Sequence, residues 1–142
     1  MSSRSANSYV LFPIGGKRYA LPAFEVTELA RPDRLQSFPH TTPLLTGVLV
    51  RRGRIIPVCD VASVLVGPYA PECKFYLITS LCFCGLEEWT AIPVTGECEL
   101  VASQAAPPRS SSPDYVAGLL TRAGVTVEII DLEKVISQGA RA

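Results

Sequence analysis

One stretch of this chain is written twice. Residues 45–61 read LTGVLVRRGRIIPVCDV, and residues 116–132 read VAGLLTRAGVTVEIIDL. At a shift of 71 they share Gly47 with Gly118, Leu49 with Leu120, Arg51 with Arg122, Gly53 with Gly124 and Asp60 with Asp131. The same shift pairs Phe12 with Phe83, Ala20 with Ala91, Pro22 with Pro93, Glu28 with Glu99 and Leu29 with Leu100, with no gap required. Because 71 is half of the 142 residues, the chain reads as two copies of one unit that divide near Pro71. Two copies make a pseudo-dimer and not a solenoid.

Each copy reads mostly as strand. YVLFPI (9–14) and RYALP (18–22) flank Gly15, Gly16 and Lys17, a hairpin pattern. VTELA (26–30) alternates apolar and polar, as a half-buried strand does. GVLV (47–50) and RIIPVC (54–59) form a second hairpin around Arg51, Arg52 and Gly53, where Gly53 and its copy Gly124 supply tolerance of positive φ. Asp60 and Asp131 each precede apolar residues at helical spacing, so both are expected to cap a short helix. The second copy predicts strands near 75–84, 88–92, 97–101, 117–122 and 125–130. Five short strands per copy, joined by tight turns, suit a small antiparallel barrel. The expected fold is all-β: two five-stranded barrels packed side by side within one domain over 1–142, one unit at about 8–70 and the other at about 72–137. SQAAPPRSSSP (103–113) is expected to be an exposed loop.

Composition narrows the function. Thirteen basic and thirteen acidic residues cancel, leaving no electrostatic footprint for nucleic acid or an anionic membrane. No apolar run reaches the length of a membrane span, and the start MSSRSANS has no hydrophobic core segment, which points to a cytoplasmic chain. The five cysteines (Cys59, Cys73, Cys82, Cys84 and Cys98) include no CxxC pair and are expected to be free thiols acting as small hydrophobes. A zinc site would need three or four converging ligands, yet His40 is the single histidine. His40 lies in the proline-flanked FPHTTP, expected to be an exposed loop. The chain has no GxSxG elbow, P-loop, GxGxxG or HExxH motif. Glu25 and Glu28 flank the third strand, Glu87 and Glu88 adjoin a turn, and none forms a pair spaced for acid–base work. A duplicated barrel of this kind is expected to bind rather than catalyse, with no cofactor and no metal.

Differences between the copies carry the remaining information. The shared residues are mainly apolar, Gly, Pro and the two capping aspartates, which is what a fold requires. Arg52 is matched by Ala123, so the fold does not require an arginine there. Such a residue can be a solvated turn charge, or a forked donor for a partner's carboxylate or backbone.

YVLFPIGGKRYALPAFEVTEL, then GVLVRRGRIIPVCDV, then YVAGLLTRAGVTVEIIDLEKVI together resemble the CheW-like chemotaxis coupling proteins, from about residue 8 to 137. The resemblance implies two pseudo-symmetric SH3-like barrels, with short helices after the PVxD-type strands, and a non-enzymatic adaptor. It implies two partners, a chemotaxis histidine kinase whose regulatory domain shares the fold, and the cytoplasmic helical hairpin of a chemoreceptor. It also implies recruitment to membrane-associated receptor arrays, with the receptor hairpin in an apolar groove between the barrels. Carried over by position, Arg52 and Gly53 match the family's Arg-Gly turn, Gly47 its strand-opening glycine, and Val26 and Glu28 its V-x-E segment; in the family these lie at or near the receptor and kinase contacts. Val50 and Arg51 stand where the family often has Asn-Leu, and Ile92 and Pro93 where it commonly has Val-Asp. Pro93 lacks a backbone donor, so its strand is expected to be an edge or a strand start. Two alternatives remain beside the adaptor: a divergent coupling protein that binds only one of the partners, and a small metal or redox protein built on Cys82, Cys84 and Cys98.

Overall fold

In a computed structural model the structure describes residues 7–31, 44–67, 72–83 and 85–140. His40, Pro71 and Cys84 lie outside the described residues. Ten strands and two helices follow in order: β1 (Asn7–Ile14), β2 (Lys17–Pro22), β3 (Val26–Ala30), β4 (Leu45–Arg51), β5 (Arg54–Cys59), α1 (Ala62–Leu65), β6 (Phe75–Phe83), β7 (Leu86–Val94), β8 (Glu99–Ser103), β9 (Val116–Arg122), β10 (Val125–Ile130) and α2 (Leu132–Ala140). A 3-10 turn, Ala23–Glu25, links β2 to β3. The strands form two five-stranded sheets, matching the expected all-β pair of barrels.

The sheets are not the two halves of the chain. One runs β8-β1-β2-β10-β9 and the other β3-β6-β7-β5-β4. Each copy's opening hairpin therefore completes the other copy's sheet, and units of 8–70 and 72–137 do not describe the barrels. The exchange keeps the pseudo-symmetry intact. Exchanging β1 with β6, β2 with β7, β3 with β8, β4 with β9 and β5 with β10 turns one strand order into the other. The insertion is parallel, with β2 beside β10 through Ile129↔Ala20 and β7 beside β5 through Val58↔Ala91.

The core repeats with the strands. One barrel interior holds Tyr9, Leu11, Ala20, Val101, Leu120, Val127 and Ile129. The other holds Tyr76, Ile78, Ala91, Ala30, Leu49, Ile56 and Val58, position for position. Alternation along a strand sends the intervening side chains outward. Phe12, Ile14, Tyr19 and Leu21 thereby meet Leu77, Ile92 and Val94 in a third cluster, which also takes in Val61, Leu132 and Val135 of the two helical segments. That shared cluster packs the two barrels against each other.

The uniform shift of 71 fails at one place. Leu11 pairs with Ala20, but Ile78 pairs with Ala91, so the second hairpin spans 13 residues where the first spans nine. Tyr9 and Tyr76, and Leu11 and Ile78, are equivalent at a shift of 67. The pairing of Phe12 with Phe83 was coincidence, because four extra residues lie at the β6–β7 tip.

Turn and cap expectations hold, with one refinement. Arg52-Gly53 and Ala123-Gly124 are two-residue turns with φ of 53 and 75, and 51 and 79. Positive φ at both positions is the type I′ geometry whose twist suits a hairpin. Lys134 N–H donates to Asp131 Oδ1 at 3.3 Å, so Asp131 caps α2. Asp60 stands one residue further out and accepts from the Ala62 N–H at 3.2 Å. Pro93 departs from expectation, since β7 is central and Pro93 sits next to its end. It is tolerated because the register with β5 passes through Ala91, two residues earlier. The 103–113 loop is largely exposed, as expected. Among the described residues no helix is long and apolar enough to cross a membrane.

Candidate functional site

Two surfaces combine accessibility with side-chain chemistry. One is the tip of the β4–β5 hairpin, where the residues singled out from sequence gather. The other is a groove between the barrels.

At the hairpin, Arg51 Nη2 and Nε donate to Glu28 Oε1 and Oε2 at 2.9 and 3.3 Å. Glu28 is on β3 and Arg51 on β4, the two outer strands of one sheet. The pair therefore closes the barrel seam with side chains. These hydrogen bonds, chiefly those from Arg51, hold the Glu28 carboxyl below the usual carboxylate range. The other barrel repeats the device, with Arg122 Nη2 2.9 Å from Glu99 Oε2. Arg52 reaches the same Glu28 only at 3.4 Å and remains 74% exposed. Arg54 stacks over the Trp89 ring at 4.3 Å.

Four of the five residues carried over from the family already have internal tasks. Glu28 is clamped by Arg51, and Val26 packs partly buried against the shared core. Gly47 is buried in β4 beside a register shift between β4 and β5, and Gly53 supplies the turn. Arg52 keeps only the longer ion pair to Glu28 and otherwise faces solvent.

Sequence reasoning missed the groove. Its walls are Phe24 and Glu25 from the 3-10 turn, Ser80, Leu81 and Cys82 of β6, Glu87 of β7, and Asp131, Leu132 and Glu133 at the start of α2. It encloses about 460 Å³. Phe24 is 86% exposed. Cys82 and Glu87 belong to the four-residue extension of the second hairpin, so the insertion builds one wall. Burial, aided by Asp131, pushes the Glu25 carboxyl up to about 7. Glu87 accepts from Ser80 Oγ at 2.6 Å and stays below its ordinary range, first through that bond.

The pseudo-symmetric position is shut. There Thr95 replaces Phe24 and Gly96 replaces Glu25. Thr95 N–H donates to the Pro13 carbonyl at 3.0 Å, and Gly15 N–H donates to Thr95 Oγ1 at 3.0 Å. A side chain on Gly96 would press on Pro13 Cγ at 3.3 Å. Ile14 is buried there, whereas its counterpart Leu81 is half-buried. A signal was available in sequence: Phe24, Glu25 and Glu133 differ from Thr95, Gly96 and Ala62 as plainly as Arg52 differs from Ala123.

The described cysteines, Cys59, Cys73, Cys82 and Cys98, are free thiols. Cys59 is buried, with its thiol pushed up to about 11 by desolvation, and Cys98 likewise to about 11. Cys82 is exposed in the groove wall. Among the described residues no group of three or more His, Cys, Asp or Glu could hold a metal ion.

A family model described as CheW-like domain matches residues 8–140. Among solved structures, the scaffolding protein TtCheW from Thermoanaerobacter tengcongensis is similar at a TM-score of 0.77 and 21% identity, covering 92% of this chain and 87% of that one. No curated protein matches the chain.

Proposed function

The chain belongs to the CheW-like domain family, and from that premise we propose that it couples the cytoplasmic tip of chemoreceptors to a chemotaxis histidine kinase. The family consists of non-enzymatic scaffolding adaptors. The observation that carries the reading is the open groove, beside a pseudo-symmetric site that the same fold closes. Helix-in-groove recognition needs an apolar surface that water leaves on docking, and Phe24 and Leu81 supply one. The exposed Arg52 is the second proposed contact, suited to a carboxylate or backbone carbonyl of the kinase or receptor. Recruitment to a membrane-associated array would follow from the receptor and needs no membrane segment of this chain.

Calorimetric titration tests the reading. The purified chain is titrated with the regulatory domain of a chemotaxis histidine kinase from the same organism, then with a receptor-tip hairpin, using wild type, Phe24→Ser and Arg52→Ala. Binding of both partners is expected. Phe24→Ser should weaken the hairpin, and Arg52→Ala should weaken at least one partner by roughly 2 kcal/mol. Failure to bind either partner would sink the coupling function.

A further inference from the structure

Resting on the groove reading above, we propose that the groove takes a basic amphipathic helix, with an apolar stripe against Phe24 and Leu81 and flanking Lys or Arg side chains against Glu25, Glu87, Asp131 and Glu133. Comparison with the closed site supports this. Glu25, Asp131 and Glu133 are equivalent to Gly96, Asp60 and Ala62, and Glu87 lies in the extension that the closed site lacks. One carboxylate suffices where the fold alone is served, and the open site adds three. No Lys or Arg lines the groove among the described residues.

The surrounding charges leave this field uncancelled. Lys134 on α2 is drawn to Asp114, with Nζ 3.7 Å from Oδ1. Arg54 is stacked on Trp89 and adds only a minor pull on Glu87. The groups facing Glu25 are Asp131 and Glu133 from α2, Cys82 from β6 and Glu87 from β7. On the β1 side, Tyr9 borders Phe24. A carboxyl held up to about 7 in such surroundings is half protonated near neutrality. A docked ammonium or guanidinium favours its charged form, so docking expels a proton. By linkage, a group whose value falls on binding makes the complex tighter as pH rises. An occupant that returns Glu25 to its ordinary range would bind about tenfold tighter at pH 8 than at pH 6.

The test uses the full chain and two synthetic helical peptides. Both carry one leucine stripe; in one it is flanked by lysines, in the other by glutamates. Affinities are measured at about pH 6 and pH 8 at constant ionic strength. The lysine peptide should bind at least tenfold tighter, gain about tenfold with pH, and lose that gain in Glu25→Gln. Phe24→Ser should weaken it at both pH values, and the exposure of Phe24 makes this variant safe for folding. Equal binding of the two peptides, or a pH gain that survives Glu25→Gln, overturns the proposal. If the receptor-tip hairpin still needs Phe24 in that event, the groove reading stands and only its basic occupant fails. If the hairpin ignores Phe24→Ser, the groove reading itself is lost.

Discussion

Two sites related by the internal pseudo-symmetry have met different fates. One is bonded shut by Thr95, Pro13 and Gly15, around a buried Ile14. The other is held open by a hairpin four residues longer, with Phe24 and Glu25 in place of Thr95 and Gly96. The closed site shows what the barrel pair needs in order to fold. Whatever the open site has in addition is free to serve a partner. The same logic separates the two seam clamps, which are duplicated, from Arg52, which is not.

The strongest challenge to this comparison lies in the shared interior. Leu49 and Leu120 are equivalent and fully buried, one in each barrel. Leu49→Ala and Leu120→Ala should each destabilise by about 2–5 kcal/mol, the range for core leucines that leave a cavity. Urea denaturation of the two variants should give similar midpoints and one cooperative transition, since the third cluster ties the barrels together. Separate transitions would mean that the exchanged hairpins do not couple the barrels.

The next test converts the open site into its twin. Deleting Cys82, Phe83, Leu86 and Glu87 leaves two residues between Leu81 and Glu88, the same number that lies between Ile14 and Lys17. Shortening a surface hairpin changes loop entropy little, so stability should stay within about 1 kcal/mol. Binding of the receptor-tip hairpin should weaken by roughly 2 kcal/mol or more, because one wall of the groove is gone. A shortened chain that folds and still binds with full affinity would show that the extension has no part in recognition.

Strands, turns and the Asp131 cap were legible because alternation, positive φ and capping are local. The exchange of hairpins was not. A shift of 71 fits contiguous barrels and exchanged ones equally well, and strand order depends on contacts between residues far apart in sequence. The groove was obscured by the same repeat. Phe12 and Phe83 match at the shift that fits elsewhere, so Cys82 and Phe83 read as the end of a strand near 75–84, and Glu87 as a neighbour of the turn. Glu25 and Asp131 look unrelated until the 3-10 turn meets α2. Four of the residues carried over from the family pattern proved to be occupied internally, because a repeated Glu–Arg pair records barrel closure more directly than partner contact.

Two carboxylates with opposite shifts give a finer separation. Glu28 is held low by Arg51, so its contribution is present above the ordinary carboxylate range and is lost as pH falls through its lowered value. Arg51→Ala should remove ~1 kcal/mol near neutrality, in line with a partly exposed pair, and less in acid. Glu25 is raised to about 7 by burial, so its contribution is present below its unfolded value and fades as pH rises through 7. Glu25→Gln should therefore gain on wild type as pH rises from 5 to 8. Chemical denaturation from about pH 3 to pH 8 measures both, Glu28 at the acid end and Glu25 above pH 5, and slopes of the same sign would break the assignment.

The smallest effect concerns the turn that first distinguished the copies. Arg52 occupies φ 53, an unfavourable setting for a residue with a side chain, yet Ala123 holds φ 51 in the other barrel. The fold has thus already carried out the substitution once. Arg52→Ala removes a long, exposed ion pair to a Glu28 that Arg51 still clamps. Its effect on stability should stay within ~0.5 kcal/mol. Arg52→Gly should stabilise slightly, since glycine relieves the positive φ without touching the clamp. Thermal midpoints of the two variants, read beside their binding curves, separate the turn from the contact. A stable Arg52→Ala with weakened partner binding assigns the guanidinium to recognition, and an Arg52→Ala that unfolds would return it to the fold.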